Sequence, residues 1–178
     1  MRIVCAGCGA DLGTKTSLIH DDEATSHSLC ASCAHHFRAT AGMPFEQYIE
    51  GLEAPVVTVT PQGTIATANA IALELLGKSP TEIMGFNGGD VFECEYARLP
   101  EGCGETVHCS GCTIRNTVMD TLQTGTPHRR EPAYLNRYSD RGSQHYDLLI
   151  STEKKGGVVF LTIEEMTEAK GSGSPDGE

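Results

Sequence analysis

The sequence lacks the long apolar runs and the basic charge that would place it in two large functional classes. No stretch approaches the roughly 20 consecutive apolar residues that a membrane-spanning helix needs, and the N-terminal MRIVCAGCGADLG holds no apolar segment of a secretory signal. We therefore expect a cytoplasmic chain without membrane contact. Acidic residues outnumber basic ones by 24 to 13, which gives a net charge of −11. Because nucleic-acid binding needs a basic face, this balance argues against a nucleic-acid partner.

Sequence motifs of nucleotide-dependent and hydrolytic enzymes are also missing. There is no Walker A sequence, no G-x-G-x-x-G fingerprint, no H-E-x-x-H and no ordered Ser-His-Asp set. No C-x-x-C is followed directly by histidine, which excludes c-type haem attachment. Within 178 residues, we expect no room for phosphotransfer and ATP-binding domains beside a sensing domain. The chain is therefore expected not to be an enzyme.

What the sequence does have is eight cysteines in two groups of four. Nothing marks the chain as secreted, so grouped thiols at ligand spacing indicate metal sites rather than disulfides. The first group is Cys5, Cys8, Cys30 and Cys33, and the second is Cys94, Cys103, Cys109 and Cys112.

The first group consists of two C-x-x-C pairs joined by a loop. Two close pairs let four sulfurs approach one tetrahedral ion at about 2.3 Å. Residues 1–36 are too few to fold on a core of their own, so bound metal is expected to supply most of their stability. We predict a structural zinc, with two redox pairs or an iron–sulfur cluster as the alternatives. His27 is interpreted as a hydrogen-bonding residue beside the site.

The second group contains one close pair, Cys109 and Cys112, in a glycine-rich loop. Residues 113–124 have helical apolar spacing, which places this pair at a helix N-terminus, where the dipole and free N–H groups favour thiolates. We predict that all four cysteines converge on one metal site, zinc or an iron–sulfur cluster, with sulfurs about 4 Å apart for a single zinc. Redox thiols without metal are the alternative. His108 is expected beside the site rather than as a ligand.

The rest of the chain predicts a mixed α+β domain. Residues 37–53 are interpreted as a helical connector, with a helix at 44–52 whose apolar stripe serves either core packing or homodimer formation. Residues 54–168 have the order β-β-α-α-loop-α-β-β-β, which predicts a five-stranded antiparallel sheet with short helices and with the cysteine loop 94–112 inserted. Residues 169–178 are rich in glycine and serine, which is typical of a disordered tail. Strands are predicted at about 55–60, 64–68, 128–137, 144–152 and 157–165, and helices at 69–76, 79–85 and 113–124.

Residues 53–168 resemble a PAS domain, the ligand- and redox-sensing module of bacterial signalling proteins. The resemblance rests on the segments APVVTVTPQGTI at 54–65, Ala68-Asn69-Ala70 entering a helix, Leu76-Gly77, Gly85–Phe92 and the last three strands. The segment from Phe92 to Cys112 resembles a cysteine-bearing PAS subgroup often found in sensor histidine kinases. The front end, with SHSLCASC at 26–33, resembles the small zinc-ribbon-like modules that accompany such sensors.

This resemblance implies a stand-alone sensor of a two-component system. It would respond to redox state, metal or a small ligand, and would relay the change to a kinase or regulator by protein–protein contact. The sequence departs from the family in several ways: we expect no transmitter kinase after the PAS-like segment, no Asn-Cys-Arg-Phe-Leu stretch of flavin domains is present, and helix 113–124 carries no histidine for haem. Two alternatives stay open. One is a structural zinc-binding adaptor, and the other is a thiol–disulfide oxidoreductase that uses Cys109 and Cys112.

Overall fold

The structure is a computed structural model that describes residues 2–5, 8, 10–14, 25–30, 33–34, 37, 43–139 and 142–169. Two sheets form in these residues, a three-stranded one near the N-terminus and a five-stranded one in the rest of the chain. Parts of the predicted module 1–36, and all of the predicted tail except Ala169, lie outside the described residues. Within the described residues, no helix has the length and hydropathy of a membrane-spanning segment.

The small sheet positions the first group of cysteines. Strand β1 (Arg2–Cys5) is central, with β2 (Asp11–Thr14) antiparallel on one side and β3 (Thr25–Ser28) parallel on the other. Cys5, at the end of β1, lies opposite Ser28, at the end of β3. Because the two strands run in the same direction, Cys5 and Ser28, which lies two residues before Cys30, are at the same end of the sheet.

The connector forms helix α1 (Phe45–Glu50), which begins after Pro44 and ends at Gly51. Its apolar side packs on the large sheet, as the core-packing interpretation of the stripe predicted. The ring centroid of Phe45 lies 5.1 Å from that of Phe37 and 6.0 Å from that of Phe160. Phe37 is fully buried, so this aromatic cluster attaches the N-terminal module to the outer face of the large sheet. Homodimer formation through the same helix stays a prediction.

The large sheet confirms the predicted fold class, an α+β, PAS-like five-stranded antiparallel sheet with short helices. Its strands are β4 (Val56–Val59), β5 (Ile65–Ala68), β6 (His128–Ser139), β7 (Gly142–Lys155) and β8 (Val158–Glu168). They lie in the order β5-β4-β8-β7-β6, and every neighbouring pair is antiparallel. Strands β4 and β5, which precede the helices in the sequence, therefore meet strands β6, β7 and β8, which follow the helices, where β4 pairs with β8.

Short helices cover the inner face of the sheet. Helix α2 (Ala70–Leu76) and helix α4 (Thr113–Thr124) form where the apolar spacing predicts them, and each ends at a left-handed glycine. Helix α3 (Gly88–Val91) is new, and the predicted helix 79–85 contracts to one 3₁₀ turn at Pro80–Glu82. The core between this face and the helices is built from Val, Ile and Leu side chains of all five strands, α2 and α4, with Phe92 beside them.

Candidate metal centres

The N-terminal cysteine cluster (Cys5, Cys8, Cys30 and Cys33) brings four thiols to one point. Their sulfur atoms all lie within 4.8 Å of one another, and the Sγ atoms of Cys8 and Cys30 are 3.9 Å apart. Four sulfurs bound to one tetrahedral ion at about 2.3 Å are about 3.8 Å apart. The cluster therefore has the geometry of a site for a single metal ion.

The backbone around this cluster supports anionic sulfur. The N–H of Cys30 donates to the Sγ of Cys5 at 3.2 Å, and the N–H of Cys33 donates to the Sγ of Cys30 at 3.4 Å. Burial and then the neighbouring thiols raise the pKa of Cys33. A divalent cation reverses this effect, because it favours the deprotonated form of every sulfur it binds. The side chain of His27, predicted beside this site, lies outside the described residues.

The second group of cysteines comes from three separate segments. Cys94 follows α3 and pairs as an isolated bridge with Arg137 of β6. Cys103 lies in the loop between two left-handed glycines. Cys109 belongs to the 3₁₀ helix Val107–Gly111, and Cys112 is the N-cap of α4, as predicted.

All four of these cysteines line one cavity of about 240 Å³, which we call the cysteine cavity. Cys109 is buried and the other three are half-buried. The remaining wall is largely apolar and reaches the core of the sheet through Ile65, Val118 and Leu161. The cavity is thus lined both by four thiols and by residues of the hydrophobic core.

Main-chain and hydroxyl groups point at the sulfurs of the cysteine cavity. The N–H groups of Gly89, Gly104 and Arg115 donate to the Sγ atoms of Cys103, Cys109 and Cys112 at 3.2, 3.1 and 3.5 Å respectively. The hydroxyl of Thr106 lies 3.2 Å from the Sγ of Cys109. A neutral thiol is a weak acceptor, whereas a thiolate or a metal-bound sulfur is a good one. This pattern therefore favours sulfur in its anionic form.

Glycine is required at one of these positions for a steric reason. A Cβ atom at Gly89 would lie 2.6 Å from the Sγ of Cys103 and 2.9 Å from its Cβ. The backbone at Gly89 can approach this sulfur only because it carries no side chain. Nothing in the local sequence Asn87-Gly88-Gly89-Asp90 indicates this contact, since Cys103 is 14 residues away.

The four thiols interact electrostatically. Burial opposes ionisation of Cys109, but hydrogen bonds from Thr106 and Gly104, together with the charge of Arg115, lower its pKa. Burial raises the pKa of both Cys94 and Cys103, and charge at Cys109 and Cys112 raises it further. The four groups thus share one electrostatic environment, in which Cys109 ionises most readily of the three whose pKa is shifted.

The spacing of these sulfurs differs from the prediction for a single zinc. In the described part of the chain, the N-terminal cysteine cluster is the only set of three or more metal-binding side chains whose ligand atoms all lie within 4.8 Å. The predicted separation of about 4 Å in the second group is therefore wrong. The physical reason is that Cys94, Cys103 and the pair Cys109 and Cys112 belong to separate segments, each held by its own backbone hydrogen bonds.

Two aromatic rings lie beside the cysteines. The ring of His108 stacks on that of Tyr96, with 3.9 Å between centroids, and both residues line the cysteine cavity. The Tyr96 hydroxyl accepts a hydrogen bond from the side-chain amide of Asn136 on β6. This stack places His108 beside the thiols, as predicted, and it also joins the cysteine loop to the edge strand.

An ion-pair network anchors the segment that carries Cys94. Glu93 has a positive φ of 58°, and its carboxylate receives hydrogen bonds from Arg137 at 2.7 Å and from Lys78 at 3.1 Å. Burial raises the pKa of Glu93, but hydrogen bonds from Arg137 and Lys78 outweigh burial and lower it overall. The network therefore holds Glu93 in place, directly before Cys94 and the 3₁₀ helix Glu95–Arg98.

We expect acid to weaken this anchor. Because the pKa of Glu93 is lower in the folded protein than in the unfolded chain, its contribution to stability is present above the unfolded value of about 4.3. It is lost as the pH falls through the folded value. Glu93→Gln should therefore lower the free energy of unfolding at neutral pH and flatten its decline below about pH 4.5. Urea unfolding from pH 3 to 7 measures this, and an unchanged acid limb would contradict the assigned role.

Comparisons with known proteins give a likeness in fold. No protein-family model matches the chain, and no curated protein matches it in sequence. The photoactive yellow protein domain from the sensor histidine kinase Ppr of Rhodospirillum centenum is 20% identical, with 72% of this chain and 99% of that chain covered and a TM-score of 0.42. A domain of a sensory box sensor histidine kinase/response regulator from Geobacter sulfurreducens is 13% identical, with coverages of 74% and 96% and a TM-score of 0.47. The PAS domain of a Desulfitobacterium hafniense protein is 14% identical, with coverages of 69% and 99% and a TM-score of 0.39. Solved structures similar to this chain thus include PAS domains.

Proposed function

We propose that the protein is a sensor in which the cysteine cavity receives the signal and a signalling protein receives the response. The observation that carries this proposal is the convergence of four cysteines, from three segments, on one cavity at the start of α4. The signal would be redox state, metal or a small ligand. The partner would be a kinase or regulator of a two-component system, and the chain itself would be cytoplasmic and not an enzyme.

The donor set fits a metal group in both places. Four thiols, of which two in the N-terminal cysteine cluster and three in the cysteine cavity accept backbone hydrogen bonds, suit zinc or an iron–sulfur cluster. At the N-terminal cysteine cluster we propose zinc with a structural role, since that cluster matches the spacing for one ion. In the cysteine cavity, a metal group would offset the charge of four thiolates at the N-terminus of α4.

Contacts lead from the cavity towards the connector helix. Cys112 caps α4, and Lys154 of β7 donates a hydrogen bond to the carbonyl of Leu122 near the other end of that helix at 2.6 Å. The next residue, Lys155, donates to the hydroxyl of Tyr48 on α1, also at 2.6 Å. A shift of α4 caused by a change at the sulfurs would thus reach the connector through one strand.

Hydrogen exchange tests whether the cavity is coupled to this path. We expect removal of metal from the cysteine cavity to speed amide exchange in α4, at the end of β7 and in α1. Cys103→Ser should reproduce the effect, because it removes one ligand of this cavity only. Cys8→Ser is the matched control, because it alters the other site and should leave α4 unchanged. Faster exchange confined to residues 94–112 would contradict the relay.

A second candidate function is thiol–disulfide exchange by Cys109 and Cys112. The observation that favours it is the lowered pKa of Cys109, which hydrogen bonds from Thr106 and Gly104 and the charge of Arg115 produce, since reactive thiols have a lowered pKa. Rapid alkylation of Cys109 and reduction of a protein disulfide by the metal-free chain would support it. Slow alkylation of the metal-loaded protein, together with no reductase activity, would leave the sensor as the better account.

A further inference from the structure

We propose that the two four-cysteine sites take different metal groups: a single tetrahedral ion at the N-terminal cysteine cluster, and a four-iron, four-sulfide cluster in the cysteine cavity. The proposal rests on the proposed function, in which the cavity holds a metal group, and it specifies the class of that group. The observation that carries it is that two sets of four cysteines in one molecule differ in the spacing of their sulfur atoms.

The N-terminal cysteine cluster provides a reference for the sulfur spacing of a single-ion site in the same molecule. Its sulfurs all lie within 4.8 Å of one another, which is the spacing of thiolates around one ion. The cysteine cavity offers the same four ligands, yet no three of its sulfurs, all in the described part of the chain, meet that limit. Two sites of identical chemistry in one structure are thus built to different sizes.

A site wider than that for one ion is what a cluster requires. In a cubane cluster each cysteine binds a different iron, so the four cysteine sulfurs are about 6 Å apart rather than the roughly 3.8 Å around one ion. The cavity of about 240 Å³ is much larger than a single ion. The core of such a cluster contains four irons and four sulfides.

The sulfurs are also held where they are. Cys103 accepts from the N–H of Gly89, and Cys109 accepts from the N–H of Gly104 and contacts Thr106. These hydrogen bonds hold the two sulfurs at their present positions, in a site wider than that for one ion. With a cluster, the same bonds persist and stabilise the charge on its cysteine sulfurs.

The rest of the wall suits a cluster as well. Ile65, Val118 and Leu161, all from the hydrophobic core, line the cavity together with the thiols. An apolar surround limits the access of water to the inorganic sulfides, and it is one of the features by which proteins set the potential of such clusters. A structural zinc site has no need of a cavity behind it, because its four ligands close around the ion.

Metal and sulfide analysis of the full chain tests this assignment. The protein is purified without oxygen and then incubated with iron and sulfide under reducing conditions. We expect about four irons, four acid-labile sulfides and one zinc per chain, and broad absorption near about 400 nm. Cys103→Ser should lose the iron and keep the zinc, whereas Cys8→Ser should lose the zinc and keep the iron. Gly89→Ala, which displaces the Cys103 sulfur without removing a ligand, should also lose iron.

The outcomes separate this inference from the proposed function. Two zincs per chain, falling to one in Cys103→Ser, would overturn the cluster and leave a metal-dependent sensor in place. One zinc, no iron and no change in Cys103→Ser would overturn both. Circular dichroism checks that each variant is folded. If Cys103→Ser is not, the Gly89→Ala variant decides the outcome, and full iron content in folded Gly89→Ala would count against the cluster.

Discussion

Cys8→Ser is expected to unfold the small N-terminal sheet while the large sheet stays folded. Cys8 is exposed, so the substitution removes almost no packing and its effect reports on metal binding. Strands β1 and β2 bury only one of their residues, Cys5, and leave most others exposed. A structural zinc contributes about 10–16 kcal/mol of binding free energy in small domains. Weakening the site should therefore remove most of the stability of this sheet.

Zinc content and amide exchange measure this effect together. In Cys8→Ser we expect loss of the zinc bound at this cluster and fast exchange throughout β1, β2 and β3, with exchange in β4 to β8 nearly unchanged. Asp11→Asn is the matched control, since it breaks the exposed ion pair with Arg2 in the same sheet but removes no ligand. That exposed pair contributes little to stability, because solvent screens it. An unchanged zinc content in Cys8→Ser would refute the assignment of the cluster as a zinc site.

The main elements of the large sheet could be predicted because each has a local signal. Gly125 ends α4, and Gly156 with Gly157 forms the turn between β7 and β8, all at positive φ. The apolar spacing of residues 113–124 predicted the helix, and runs of β-branched residues predicted the strands. Strands β6 and β7 extend beyond their predicted ends because backbone pairing in a hairpin continues without further apolar residues.

Other features depend on contacts between distant residues. Helix α3 contains two glycines, which have low helix propensity, so its sequence gives no helical signal. The sequence indicates that Gly156 is a turn residue. A Cβ at this position would also lie 2.9 Å from the ring of Phe37. The sequence shows the need for glycine at the turn, but not the close approach of the connector.

The candidate sites show the same division. The spacing of two C-x-x-C pairs was sufficient to predict the N-terminal cysteine cluster. Parallel pairing of β1 and β3 then brings the two pairs to the same end of the small sheet. The spacing within the cysteine cavity was not predictable, because Cys94 is placed by its bridge to Arg137, which is 43 residues later in the chain. The donors from Gly89 and Thr106 were missed for a similar reason, since glycine and threonine carry no metal-binding signal.

Asn69→Ala is expected to have a large effect on the stability of the large domain. Asn69 is 1% exposed, and its side chain joins the connector, β4 and α2. The Oδ1 atom accepts from the N–H groups of Val56 at 3.1 Å and Ala72 at 3.0 Å. The Nδ2 group donates to the carbonyls of Leu52 at 3.3 Å and Ala54 at 2.8 Å. Both N–H donors and both oxygen lone pairs of this buried amide are thus used, in two donations and two acceptances.

Alanine would remove the N-cap of α2 and leave buried backbone groups without partners. Loss of a cap costs about 1 kcal/mol, and each unsatisfied buried group costs about 1–3 kcal/mol, so we expect the free energy of unfolding to fall by roughly 3–5 kcal/mol. Urea unfolding should show a lower midpoint with an unchanged slope. The matched control is Asn87→Ala, at the N-cap of α3, where the exposed side chain makes no capping hydrogen bond. That variant should lose only a few tenths of a kcal/mol, and equal losses in the two variants would show that the buried network around Asn69 does not stabilise the domain.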